Sequence, residues 1–140
     1  VGINDSAHEK SASKDGLRVD LEHSADLIID MIKSAQKSGP SLWVGPTPVL
    51  EDMMPLTLSP ALSYRFTNNI IEQYNQRYSA RAKDAGIAYL DLYSTLASDP
   101  DWEESLRASD GLHPTSLGYK TMAALFDKWP AWRALLKSVA

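Results

Sequence analysis

From Leu17 onward, apolar residues recur at Leu21, Ala25, Ile28, Met31, Ile32 and Ala35. Steps of three and four residues predict an amphipathic helix, and Gly39-Pro40 ends it. The next segment, LWVGPTPV (42–49), is short, apolar and flanked by breakers, which predicts a buried strand running into a Pro-rich loop. Residues 50–58 (LEDMMPLTL) read as a longer loop with exposed methionines. Ser59-Pro60 has the chemistry of a helix start, with serine as cap and proline in the first turn. The stripe Leu62, Phe66, Ile70, Ile71, Tyr74, Tyr78, Ala82, Ala85 extends that helix to Gly86, a left-handed cap. IAYLDLY (87–93) predicts a second strand. A polar connection over 94–109, with Trp102 and a short helix, leads to a helix after Pro114 that ends near Trp129. Pro130 opens a final short helix containing Trp132 and Leu135. Ahead of all this, residues 4–16 (NDSAHEKSASKDG) are polar and read as a surface loop.

Alternating apolar strands and amphipathic helices predict an α/β fold in which a parallel sheet is covered by helices on both faces. The 140 residues suit one domain with one core. Two strands are few for the helical stripes present. The chain also opens at Val1 without methionine or a leader pattern, inside a motif. Both points lead to the expectation that further strands precede Val1. In an open parallel sheet the ligand site lies beyond the carboxyl ends of the strands. The loops 1–16, 46–58 and 94–114 are expected at that end.

Hydrophobic residues make up 44% and charged residues 23%, as in ordinary globular domains. A net charge of −4 offers no broad cationic field for nucleic acid. No apolar run approaches the roughly 20 residues that span a bilayer. The chain has no cysteine, which excludes disulfides, thiol catalysis and thiolate metal sites but does not choose a compartment.

The candidate chemistry lies in SDGLHPTSLGY (109–119). Asp110 precedes His113 by three residues in the loop that feeds a helix. Neutral imidazole can take a proton from a hydroxyl, and a carboxylate on Nδ1–H fixes the tautomer and stabilises the imidazolium that forms. The plainer reading is a loop Asp capping the helix beside a partly exposed His. At the other end the chain reads V-G-I-N-D. With Val1 as a buried strand residue, Asn4 at the strand's end would offer its NH₂ to a developing oxyanion. Alternatively, Asn4 or Asp5 merely caps an Asx turn.

G-x-N-D early and D-x-x-H-P late, in an α/β chain, resemble the SGNH, or GDSL-type, esterase and lipase family. The resemblance runs from GIND through WVGPTPV and AYLDLY to DGLHPTSLGY, so it covers essentially the whole chain. It implies a three-layer α/β/α sandwich similar to flavodoxin, with no obligatory metal or organic cofactor. It also implies roles: His113 as general base, Asp110 as the acid orienting it, Asn4 in the oxyanion hole, and Gly2 and Asp5 as loop-shaping positions. The implied substrate is a small-molecule ester or thioester, attacked by a serine through an acyl-enzyme. That family's nucleophile stands in a G-D-S motif, which this chain lacks. Ser6, Ser94 and Ser109 stand in no G-D-S or G-x-S-x-G context and read as loop or cap serines. The nucleophile is therefore expected upstream, in sequence deleted, cleaved or present as a separate chain, and residues 1–140 alone are expected to be inactive. The alternative is a non-catalytic flavodoxin-like binding module.

Other side chains carry weaker signals. Asp5, His8 and Glu9 reproduce no familiar metal-ligand spacing. His23 lies off the apolar stripe. Met53, Met54, Leu56 and Leu58 either wall an acyl pocket or pack over the sheet end. Trp102 either covers the site or anchors its loop. The helical tyrosines suit core and rim, and Arg77, Arg81 and Lys83 suit a solvated face.

Overall fold

A computed structural model describes residues 2–139; Val1, expected as a buried strand residue, lies outside the described residues. After a 3₁₀ turn (Ile3–Ser6), the elements are β1 (His8–Lys10), β2 (Asp15–Leu17), α1 (Leu21–Gln36), β3 (Trp43–Val44) and a second 3₁₀ turn (Glu51–Met53). They continue with β4 (Leu56–Ser59), β5 (Leu62–Arg65), α2 (Asn68–Asp84), β6 (Tyr89–Leu90), α3 (Leu92–Leu96), α4 (Pro100–Arg107), α5 (Ser116–Lys128) and α6 (Pro130–Val139). The described residues form a mixed α/β structure with two sheets.

Strands β3 and β6 pair in parallel, Trp43 beside Tyr89 and Val44 beside Leu90. Successive strand residues point to opposite faces, so this two-residue register serves two cores. On one side Trp43 and Tyr89 meet Ala25, Ile28 and Ile32 of α1 and Tyr74, Tyr78 and Ala82 of α2. On the other, Val44 and Leu90 meet Leu92, Leu96, Trp102 and Leu106 of α3 and α4, with Met122 and Leu125 of α5 behind them. Helices thus cover both faces of the parallel pair. Trp43 is 1% exposed, and its ring centroid lies 5.1 Å from that of Tyr78 and 5.5 Å from that of Tyr89.

The larger sheet is antiparallel, in the order β2-β1-β5-β4, and it overturns two expectations. Residues 4–16 are a 3₁₀ turn and most of a hairpin, not a plain loop. Ser59-Pro60 is a hairpin turn, where Ala61 N–H donates to Ser59 Oγ at 3.3 Å, and helix α2 begins only at Asn68. Leu62-Ser63-Tyr64-Arg65-Phe66 alternates apolar and polar residues, so the strand period prevails over the helical one. The inner face places Leu56 and Tyr64 against a third core of Ala7, Val49, Met54, Phe66, Ile71, Tyr93 and Leu112. The apolar run 50–58 therefore divides: Met54 is buried and Leu56 packs inward, while Leu58 is 65% exposed. The predicted strands 42–49 and 87–93 each shorten to two paired residues, because prolines follow one and α3 starts directly after the other.

Helix capping fixes the loops between these elements. Asp20, Asp91 and Asp99 cap α1, α3 and α4 with their own carboxylates. Helices α2 and α5 start after Thr67 and Thr115, neither of which caps through its side chain. Each takes an acceptor from elsewhere. Glu51 Oε1 receives Asn68 N–H at 2.6 Å. Ser105 Oγ receives Thr115 N–H at 2.8 Å and Gly118 N–H at 3.0 Å. The Asn68 side chain also exchanges two 2.9 Å bonds with the backbone of Val49, as a neighbouring strand would.

Candidate active site

The loop between α4 and α5 holds Asp110 and His113, and its shape follows from three neighbours. Leu106 C=O receives the N–H groups of Ser109 (3.0 Å) and Gly111 (3.1 Å), closing the end of α4. Gly111 then adopts φ +81°, a left-handed conformation, and a Cβ there would lie 2.7 Å from Met53 Cβ. Its carbonyl accepts Leu50 N–H at 2.9 Å, which docks the loop on the segment leaving β3. Leu112 is buried in the third core, so His113 turns outward, with 67% of its side chain exposed. Beyond it, the start of α5 is held by Ser105, whose Oγ would lie 2.6 Å from a Cβ on Gly118.

The two oxygens of Asp110 divide their tasks. Oδ1 accepts the backbone N–H groups of Leu112 (3.0 Å) and His113 (2.7 Å), an Asx turn. Oδ2 lies 2.7 Å from His113 Nδ1. One carboxylate thus caps the turn and bonds the imidazole at the same time. An ionised carboxylate only accepts, so Nδ1 carries the proton and the neutral ring leaves Nε2 as an acceptor. Among the described residues nothing hydrogen-bonds Nε2.

Partial burial alone would raise the Asp110 carboxyl, but the backbone N–H of His113, its ring and the N–H of Leu112 together hold it below its ordinary 3.8. A carboxyl lowered by folding stabilises the fold above the unfolded value, and that contribution is lost as pH falls through the folded one. The loop should thus keep its order down to pH 3.8 and lose it only below. A carboxyl-carbon NMR titration should place the Asp110 midpoint under 3.8; a midpoint at or above it would mean that these bonds do not persist in solution.

At the opposite end, Gly2 has φ +97°, and the Tyr78 ring occupies the space a side chain would need. Asp5 N–H closes the 3₁₀ turn on Gly2 C=O at 3.0 Å. The Asp5 carboxylate accepts Ser24 Oγ–H at 2.6 Å, and Ser24 lies 2.7 Å from the Tyr78 hydroxyl. Burial pushes that phenol well above its ordinary range. Gly2 and Asp5 are thus tied to α1 and α2, whereas Asn4 is exposed and its carboxamide makes no hydrogen bond among the described residues. Ile3 packs against the same core that holds Leu112. The residues adjoining Asn4 and His113 are therefore anchored in one apolar cluster.

The remaining candidates sort plainly. Ser6 is buried and donates to Ile3 C=O; Ser94 donates to Asp91; Ser109 is exposed. No serine hydroxyl among the described residues bonds the imidazole. His8 pairs with Asp15 at 2.6 Å, and His23 is exposed. Among the described residues, no group of three or more His, Asp or Glu side chains could hold a metal ion. Trp102 is an anchor: its indole N–H donates to Pro48 C=O at 3.1 Å. Tyr74 and Tyr78 are core, and Arg77 and Arg81 form ion pairs with Glu22 and Asp26. A cleft of about 560 Å³ with Val49, Leu50, Tyr93, Leu96, Trp102 and Leu106 in its lining adjoins the loop's anchors, but Asn4, Asp110 and His113 do not line it.

Sequence reasoning missed Ser24, Asn68 and Ser105, which position the two motif loops. Their partners lie ten or more residues away, so no local spacing marks them.

The sequence model of the GDSL-like lipase/acylhydrolase family matches residues 1–121, a span that includes both motif loops. The chain belongs to that family. No curated protein matches it. GDSL-like membership sets the activity class as hydrolysis of ester bonds in general. Of the family match, the last residues fall within α5, so α6 lies beyond it. No helix among the described residues is long and apolar enough to cross a membrane.

Proposed function

We propose that this chain carries the general base, its orienting acid and one oxyanion donor of a serine esterase acting on a small-molecule ester or thioester. In this reading the 140 residues form one domain of a three-layer α/β/α fold resembling flavodoxin. The nucleophile is a serine that residues 1–140 do not supply, so these residues alone are inactive. His113 Nε2 takes the serine hydroxyl proton as the oxygen attacks the acyl carbon. The carbonyl oxygen becomes an oxyanion that Asn4 receives through its NH₂ group. The imidazolium, balanced by Asp110, then protonates the departing alkoxide or thiolate, and water repeats the cycle on the acyl-enzyme. No metal or organic cofactor enters these steps.

The observation that carries the proposal is the division of the Asp110 carboxylate between turn and ring, which leaves Nε2 bare at the surface. A fluorophosphonate probe tests it in the intact natural protein. One adduct is expected, on a serine outside residues 1–140, and an ester substrate should compete with its formation. Absence of an adduct would favour a binding module, and an adduct on a serine of this chain would overturn the assignment of the nucleophile.

A further inference from the structure

The outer face of the antiparallel sheet carries a feature that ester hydrolysis does not use. Register places His8 directly opposite Arg65 and Leu17, and Lys10 directly opposite Ser63 and Asp15. Side chains of directly paired residues share a face, so β1 and β5 present His8, Lys10, Ser63 and Arg65 together, away from the core. With Pro55 these four line a groove of about 450 Å³.

Arg65 is set apart from the other arginines. Arg18 pairs with Glu9, Arg77 and Arg81 with acids of α1, and Arg107 with Asp52 and Glu103. Arg133 donates to Asp127 C=O. Among the described residues, the Arg65 guanidinium makes no ion pair or hydrogen bond, although the chain has eighteen acids against fourteen bases. The Lys10 ammonium and the Ser63 hydroxyl make no hydrogen bond among the described residues, although Lys10 stands opposite Asp15. The one carboxylate on this face, Asp15, is engaged by His8 Nε2. The arrangement sets Arg65 opposite His8 and Lys10 opposite Ser63 on one face. It gives, within one groove, a planar guanidinium fork, an ammonium and a hydroxyl donor. Those groups match a tetrahedral oxyanion, which a guanidinium grips through two parallel N–H bonds.

We infer that the groove between β1 and β5 binds a phosphate group, with Arg65 as its principal ligand and Lys10 and Ser63 as supporting donors. The phosphate is either free or borne on a lipid headgroup; both present the same oxygens. This inference stands apart from the esterase reading, since none of its residues belongs to the proposed catalytic set.

The test is an NMR titration of the natural protein with inorganic phosphate, using sodium chloride at matched ionic strength as reference. Phosphate should produce saturable shifts at the Arg65 side chain and at the Lys10 and Ser63 amides, and chloride none. Arg65→Gln should weaken binding at least tenfold and Lys10→Gln several-fold, while Arg133→Gln leaves it unchanged. In a second arm, sedimentation with phosphatidylglycerol vesicles, abolished by Arg65→Gln, identifies the lipid as the source when free phosphate does not saturate. Equal shifts with chloride, or no Arg65-dependent binding in either arm, overturn the inference. Because Arg65 and Lys10 are exposed, both variants should keep the wild-type melting temperature, and Lys10→Gln supplies an independent reading if Arg65→Gln does not.

Discussion

Replacing His113 by alanine in the intact natural protein is expected to reduce p-nitrophenyl acetate turnover by about 10⁶-fold. The melting temperature should not move, because the imidazole is largely exposed. Two further variants make this result diagnostic. Asp110→Asn keeps a carbonyl oxygen for the Leu112 and His113 amides, so the turn survives. Its NH₂ group, however, faces Nδ1 and forces the proton onto Nε2, which can then no longer accept the serine proton. A fall of about 10⁴ is expected. Asn4→Ala removes a single donor and should cost about 10²- to 10³-fold. A loss of less than tenfold in His113→Ala would remove the histidine from the mechanism. An intact rate in Asn4→Ala would remove only the oxyanion role.

Trp43→Ala is expected to be the most destabilising single truncation in the first core, by about 3–5 kcal/mol. Total stability of a domain this size is about 5–15 kcal/mol, so this variant should be largely unfolded well below the wild-type transition. Trp43 fills the space between α1 and α2, holds ring contacts to Tyr78 and Tyr89, and sits in the strand that pairs with β6. Its indole N–H is buried and has no partner among the described residues. Trp43→Phe removes that unsatisfied donor while keeping an aromatic ring in the space. Its loss, measured by urea denaturation, should therefore be well under half that of Trp43→Ala. Equal losses would show that the indole N–H is bonded in solution after all.

Helices were the most legible part of the sequence. Periodicity located α1, α2 and α5 because each has a long stripe, and Pro130 marked the start of α6. The hairpins were obscured for different reasons. In 62–66 the strand period was present, but Leu62 and Phe66 also fit a helical stripe continuous with Ile70, and Ser59-Pro60 imitates a cap. In 8–17 each strand has three residues, too few to show a period, and its inward residue is Glu9, half-buried beside Arg18. No apolar alternation could announce that hairpin. At the site, Asp110 and His113 were readable since their interaction is local, three residues apart. Ser105 and Asn68 were not, because an acceptor lent to a helix ten residues on, or an amide mated to a distant loop, leaves no trace in spacing. Gly118 was the nearest hint, a glycine inside an otherwise regular helix, explained by the Ser105 hydroxyl it must admit.

The paired bonds between the Asn68 carboxamide and Val49 make one side chain the link between α2 and the segment leaving β3. Asn68→Asp would leave its outline intact yet turn its donor into a second acceptor facing the Val49 carbonyl. The segment from Val49 to Met53, which abuts Gly111, would then lose one of the three hydrogen bonds that tie it to Asn68.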